Sequence, residues 1–218
     1  MRIDVRYLRA GDLAPLFQDA LPLVAPMRRR KALRYLREPD RLRSLGAGLL
    51  MARFLGARED SDILEGPNGG PRLSAGHPDF SVSHSGALVA LSVSDSPHGL
   101  DLEDLGRPAK FGLLAERILG PGELLSEPGA AGDPMAFFSV WTRKESLMKA
   151  MGLGFALDPR SFVVTPLGTE SFLILGRPWH FSTWLLSDHV FSLASAYGPF
   201  EIQCEELDAQ ALVSDLIS

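Results

Sequence analysis

The run from Asp133-Pro134 to Gly152-Leu153-Gly154 constrains the fold more than any other stretch of the chain. Asp is a favoured N-cap, Pro fits the first helical position, and Gly ends helices by taking the left-handed conformation that other residues avoid. The spacing therefore predicts one helix from Pro134 through about Met151. On both sides the pattern changes to short runs rich in Val, Phe, Trp and Leu with turn residues between them, which is strand chemistry. A long helix set among short strands points to an α+β fold of helices packed on small, mostly antiparallel sheets.

Strands are expected over Ile3–Leu8, around Phe80 and Val82, over Ala87–Val93 and over His98–Glu103, with Asp95-Ser96-Pro97 joining the last two as a hairpin. The tail predicts strands at Ser161–Val164, Ser171–Leu175, Trp179–Leu186 and His189–Tyr197, with Ser187-Asp188 as a hairpin turn. Before these lie a short basic helix over Met27–Arg37 and a second helix over Arg41–Leu55. Asp40 is its expected N-cap, Gly56 its stop, and Leu42, Leu45, Leu49 and Ala52 its core stripe. Ser61–Pro78, rich in Gly, Pro and Asn, reads as a loop. Each half thus reads as helices plus a small sheet, with no sequence repeat relating them.

Composition narrows the function. The 22 Lys and Arg against 27 Asp and Glu leave a formal charge of -5, so the chain is no general binder of nucleic acid or of an anionic membrane. A single cysteine, Cys204, forms no internal disulfide, the first residues carry no leader-like apolar stretch, and the softest run, Gly46–Ala52, is too short to span a bilayer. A cytoplasmic protein with a local anion site is the expectation.

Four groups of residues carry chemistry. In His98-Gly99-Leu100-Asp101-Leu102-Glu103, strand alternation sends Leu100 and Leu102 into the core and brings Asp101 and Glu103 out together. Such a pair is either a solvated strand face or a site for a hard divalent ion held with substrate phosphate. In the helix, Phe137, Trp141, Lys144, Met148 and Met151 form one stripe and Phe138, Thr142, Glu145 and Lys149 the next. Glu145 and Lys149 are then an ordinary four-residue ion pair or part of a site beside an aromatic face. Ser83-His84-Ser85-Gly86 ends a strand and is a structural turn or a phosphate contact; it lacks the preceding Gly and following helix of a hydrolase elbow. The basic run Arg28–Lys31 with Arg34, Arg37, Arg41 and Arg43 is a solvated face or a local phosphate clamp.

Together these residues resemble the 4′-phosphopantetheinyl transferases of the larger, surfactin-synthetase-activating type. The signature Gly-x-Asp-x-Glu stands here as Gly99-Leu100-Asp101-Leu102-Glu103, and Trp-x-x-Lys-Glu-x-x-x-Lys as Trp141-Thr142-Arg143-Lys144-Glu145-Ser146-Leu147-Met148-Lys149. Ser83-His84-Ser85 precedes the first and Gly152-Leu153-Gly154 follows the second, so the likeness runs from near Arg28 to about Phe155.

The resemblance implies two similar α/β halves in pseudo-twofold arrangement, 1–103 and 104–218, with coenzyme A in the cleft between them. It implies transfer of phosphopantetheine to a serine of an apo carrier protein (acyl, peptidyl or aryl), leaving adenosine 3′,5′-bisphosphate, by a monomeric enzyme that needs neither nucleic acid nor membrane. Asp101, Glu103 and Glu145 would hold Mg²⁺, Glu145 would accept the serine proton, Lys149 would meet a phosphate oxygen, and Lys144 would hold the pyrophosphate or the neighbouring structure. Arg28, Lys31, Arg43, Ser44, Ser83 and His84 would grip the ribose 3′-phosphate.

The chain departs from the family at Gly69-Gly70-Pro71, where a lysine is usual, and Arg72 is the expected substitute. It departs again at His98, where an aliphatic residue is usual, a difference that bears on packing rather than on chemistry. A docking surface for the carrier is expected around Phe111–Leu125. A Mg²⁺-dependent phosphohydrolase, or a non-catalytic binder of coenzyme A or carrier domains, is the alternative reading.

Overall fold

The structure, a computed structural model, describes residues 1–66, 68, 70–107 and 111–218. In chain order, β1 (Arg2–Arg9) and a four-residue helix α1 (Phe17–Ala20) lead to α2 (Pro26–Arg34) and α3 (Glu38–Leu55). The ribbon β2 (Ile63–Glu65) and β3 (Pro71–Leu73) follows, then β4 (Asp79–Ser85) and β5 (Leu88–Ser94). Next come β6 (His98–Asp104), α4 (Phe111–Ile118), α5 (Pro121–Ser126), α6 (Pro134–Ala150), β7 (Ser171–Ile174), β8 (Arg177–Leu186) and β9 (His189–Ser195). β10 (Glu201–Glu206) and α7 (Ala209–Ile217) end the chain.

The chain divides into two compact units. The first comprises Arg2–Gly66, Pro71–Asp95 and Ile202–Ser218, and the second is chiefly Ser96–Glu201. Each is a four-stranded sheet with one long helix packed on it, in the order β10-β1-β5-β4 for the first and β6-β9-β8-β7 for the second. The α+β expectation holds, with bounds that differ from 1–103 and 104–218: β6 belongs to the second unit, and β10 and α7 to the first.

Strands β4 and β5 form an antiparallel hairpin around Gly86, and β5 also pairs with β1. The hairpin expected at Asp95-Ser96-Pro97 is not formed, because β5 and β6 enter different sheets. The comparison with Ser187-Asp188 explains the difference. Those two residues take φ of 47° and 60°, the geometry of a tight primed turn, and β8 and β9 pair directly across them. None of Asp95, Ser96 and Pro97 has positive φ, and Pro cannot adopt one.

In the first unit α3 is buried nearly all round from Leu42 to Ala52, wider than the expected stripe. Small residues permit this: a Cβ on Gly48 would lie 2.9 Å from Val24 Cγ1. The helix begins at Glu38, one residue after Arg37, with Pro39 in its first turn, so Asp40 is not the cap; its carboxylate instead pairs with Arg43. Gly56 ends the helix at φ 65° as expected. Leu45, Leu49, Val89 and Leu91 share a core with Leu212 and Leu216 of α7. The segment after Tyr197 therefore closes this core through an amphipathic helix capped by Asp208.

In the second unit Asp133 caps α6 by accepting the Ala136 N–H at 2.8 Å, and Gly152 takes φ 65° past its end. Phe137, Phe138, Val140, Leu147 and Met148 of this helix build the core with Trp179, Phe181, Val190 and Ala194. Ser161–Val164 is not a strand: a short 3₁₀ turn covers Pro159–Ser161, and Phe162 and Val164 are buried in irregular backbone.

Candidate active site

Strand β6 and helix α6 place the acidic motifs side by side, and Gly99 makes this possible. A Cβ there would collide with the Ser146 carbonyl oxygen and lie 2.6 Å from the Ala150 nitrogen. The glycine is needed for close backbone approach, since its φ is unexceptional. The helix consequently lies directly against the strand.

Lys149 spans the contact, donating from Nζ to Asp101 Oδ1 at 2.7 Å and to the Leu100 carbonyl at 3.0 Å. Asp101 is buried, while Leu100 and Leu102 lie in the core as the alternation requires. Glu103 accepts the Trp141 indole N–H at 3.2 Å and pairs with Arg107 at 3.2 Å. Trp141 thus orients an acid as well as packing beside Phe155, 6.1 Å away.

Glu145 completes the group. Among the described residues its carboxylate makes no hydrogen bond or ion pair. Burial first, then the negative charge of Asp101, pushes its pKa up to about 7, with Glu103 adding to the rise and Lys149 opposing it. Three carboxylates that repel across one neighbourhood are a hard-oxygen donor set whose charge a divalent cation would relieve. In their present positions no metal-holding cluster of three His, Cys, Asp or Glu is formed among the described residues, and Lys149 and Trp141 engage Asp101 and Glu103.

Lys144 has a different place. It is fully buried, and its Nζ donates to the carbonyls of Pro159 at 2.6 Å and Phe162 at 2.8 Å and pairs with Glu123 at 2.8 Å. An ammonium so enclosed holds the neighbouring structure, so of its two expected roles the pyrophosphate contact is corrected. Glu123, also fully buried, accepts the N–H groups of Gly120 and Val164 as well. Nothing in Gly120-Pro121-Gly122-Glu123 distinguishes this acid from an exposed helix-cap residue.

The basic residues lie in the first unit. Arg28 and Lys31 stand one turn apart on α2, and no carboxylate pairs with either among the described residues. Burial lowers the Arg28 pKa, and burial aided by Arg28 lowers that of Lys31. Their neighbours in the run are committed elsewhere: Arg29 to the Pro22 carbonyl and Arg30 to Asp60. Arg43 donates to the Gly86 carbonyl at 2.7 Å, tying α3 to the turn that follows Ser83 and His84. Ser83 is buried and His84 exposed. Among the described residues the buried Ser44 hydroxyl has no hydrogen-bond partner, which marks it as a donor awaiting an acceptor.

Arg72 is exposed on β3, and no hydrogen bond or ion pair brings it to this group among the described residues. Gly69 of the variant loop lies outside the described residues. Leu113, Leu124 and Leu125 are exposed in the stretch expected to dock a carrier, and His98 is buried, its Nδ1 3.0 Å from the Ser96 carbonyl.

Fold and site together define a class: an α+β protein with a strand-helix acid group suited to a hard cation in one unit and unpaired basic residues suited to an anion in the other. Comparison with known proteins gives that class a family. Residues 97–197 match the profile of the 4′-phosphopantetheinyl transferase superfamily. The 4′-phosphopantetheinyl transferase AcpT of Salmonella typhimurium is 32% identical over 152 residues, which cover 68% of this chain and 71% of AcpT. The 4′-phosphopantetheinyl transferase psf-1 of Bacillus pumilus is 33% identical over 121 residues, 54% of this chain and 49% of psf-1, so the matched part spans about half of that relative's length. A solved holo-[acyl-carrier-protein] synthase (AcpS) of Thermotoga maritima matches 45% of this chain and 61% of its own at 20% identity, with a TM-score of 0.33. The chain belongs to the 4′-phosphopantetheinyl transferase family.

Among the described residues no helix is long and apolar enough to cross a membrane.

Proposed function

We propose that the protein transfers the 4′-phosphopantetheine group of coenzyme A to a serine hydroxyl of an apo carrier protein, giving holo carrier and adenosine 3′,5′-bisphosphate. The observation that carries this reading is the arrangement on β6 and α6, where Lys149 meets Asp101, Trp141 meets Glu103, and Glu145 remains unpaired with its pKa near neutrality. Family membership supports it and gives no support to the phosphohydrolase or to a binder without turnover.

Asp101, Glu103 and Glu145 are the residues that would hold Mg²⁺. A bound ion would neutralise the pyrophosphate charge that these acids otherwise repel. Glu145, with a pKa matched to neutral pH, accepts the proton of the attacking serine. Lys149 supplies positive charge to a phosphate oxygen. Arg28 and Lys31, with Arg43, Ser44, Ser83 and His84, bind the 3′-phosphate of coenzyme A, Arg28 gripping it with two parallel donors. Arg72 contributes charge near the nucleotide in place of the family's loop lysine. The enzyme acts as a monomer in the cytoplasm. Leu113, Leu124 and Leu125 belong to the carrier's docking surface.

The test is mass spectrometry of apo carrier proteins incubated with the enzyme, Mg²⁺ and coenzyme A. A serine-linked gain of phosphopantetheine is expected; its absence across acyl, peptidyl and aryl carriers would refute the proposal.

A further inference from the structure

A cavity of about 390 Å³ opens in the second unit at Arg143, a residue of α6 that the proposed reaction does not use. Arg143 is only 3% exposed. Its Nε donates to Thr183 Oγ1 at 2.9 Å, and its Nη1 to the carbonyls of Val164 at 3.0 Å and Thr169 at 3.1 Å. Among the described residues Nη2 makes no hydrogen bond. Thr183 is itself fixed, 3.0 Å from Ser192 Oγ, which lies 2.8 Å from Thr142 Oγ1. The guanidinium is therefore held rigidly, with Nη2 outside that network, in a residue that borders the open space and feels the charges of Glu127 and Glu170. A buried cation in that condition gains most from an anionic oxygen, and Ser139 and Ser182 border the same space.

The rest of the lining excludes a plain anion. Glu170 borders the same cavity and is exposed; its carboxylate makes no hydrogen bond or ion pair among the described residues, though its charge acts on Arg143. Asp133 borders it too, though its carboxylate is engaged in capping α6. A phosphate or sulfate at Arg143 would be repelled by both acids, whereas a molecule carrying a cation beside its carboxylate would satisfy Arg143 and Glu170 together. Met135, Leu167 and Phe181 complete the wall with apolar surface, and the volume suits a small molecule.

We propose that this cavity binds a free α-amino acid with an apolar side chain, its carboxylate on Arg143 Nη2, its ammonium on Glu170, and its hydrocarbon against Met135, Leu167 and Phe181. The site stands independently of the transferase reading, since none of these residues takes part in it.

Isothermal titration of the full chain with L-leucine tests the proposal, with 4-methylpentanoate, isopentylamine and inorganic phosphate as partial probes. L-leucine is expected to bind at one site per chain with a dissociation constant below about 1 mM. The carboxylate-only and amine-only probes should each bind at least about tenfold more weakly, since each leaves one charged hydrogen bond unmade. Phosphate should not displace leucine. Glu170→Gln, a change at an exposed position, should weaken leucine at least about tenfold while leaving the thermal transition unchanged. The proposal is overturned if L-leucine, L-methionine and L-phenylalanine all fail to bind up to about 10 mM. It is equally overturned if 4-methylpentanoate binds as tightly as leucine, or if the Glu170→Gln protein binds leucine as wild type does.

Discussion

Lys149 donates to Asp101 Oδ1 at 2.7 Å, and the same ammonium holds down the pKa of Glu145 against the charges of Asp101 and Glu103. One lysine thus joins helix to strand and tunes the proposed base. Lys149→Ala should lower kcat by about 100-fold or more, as loss of a preorganised charge does. The acidic limb of the kcat/KM profile should also move to higher pH, because removing a positive neighbour favours the protonated carboxyl. A pH-rate profile on a carrier substrate measures both; an unshifted limb would separate Lys149 from Glu145.

Gly99 sets the distance on which that pair depends. Gly99→Ala should push α6 away from β6, costing about 1–3 kcal/mol of stability and most of the activity. Thermal unfolding and turnover of the same preparation test this, and a variant with wild-type stability and rate would show that the strand-helix contact yields freely.

The acid motifs were legible because strand alternation and helical spacing are rigid rules: Asp101, Glu103, Glu145 and Lys149 share a neighbourhood as their positions require. The roles of Lys144 and Glu123 were not, because helical spacing tells which side a residue faces and not whether the carboxylate of a separate helix closes over it. The false hairpin at Asp95-Ser96-Pro97 has the same origin. Turn composition was correct there, but only φ decides whether two strands fold back, and only the partner sheets decide where each strand goes. The tail hid α7 for a simpler reason: its apolar face, Leu212, Val213 and Leu216, is ordinary core packing with no chemical signature.

Glu145 predicts a dependence of stability on pH in the absence of divalent ions. Its folded pKa, about 7, lies above the ordinary value of 4.5, so the folded state binds the proton more tightly than the unfolded one. The stabilisation is complete below 4.5 and is lost as pH rises through about 7. The metal-free thermal midpoint should therefore fall over that interval more steeply in wild type than in Glu145→Gln, and Mg²⁺ should raise it most at the alkaline end. Parallel melting curves for the two proteins would contradict the assignment.

Lys144 and Glu123 form a fully buried ion pair, so breaking it from one side should be severe. Lys144→Met is expected to cost about 3–5 kcal/mol by stranding the Glu123 charge. Adding Glu123→Gln should recover part of that loss, because the amide carries no charge and its one oxygen keeps one of the two N–H groups, Gly120 or Val164, that bond to separate oxygens of the carboxylate. If the pair is structural, the double variant keeps a KM for coenzyme A within about threefold of wild type; a larger rise would return Lys144 to the nucleotide site.

Ser44 and Arg28 make the complementary prediction for the first unit. A buried hydroxyl with no partner costs the free protein about 1–3 kcal/mol, so Ser44→Ala should leave stability unchanged or raise it. If coenzyme A supplies the missing acceptor, the same change should raise KM for coenzyme A by about 5-fold to 10-fold with kcat little altered, the signature of lost ground-state binding. Arg28→Ala should act in the same direction and more strongly, because among the described residues no carboxylate competes for its guanidinium and a charged phosphate contact is removed. Raising ionic strength should narrow the gap between Arg28→Ala and wild type while leaving that between Ser44→Ala and wild type nearly constant, since screening weakens the charge interaction and hardly affects a neutral hydrogen bond. Steady-state kinetics at two salt concentrations distinguish the two contributions, and a KM for coenzyme A indifferent to both substitutions would place the 3′-phosphate elsewhere.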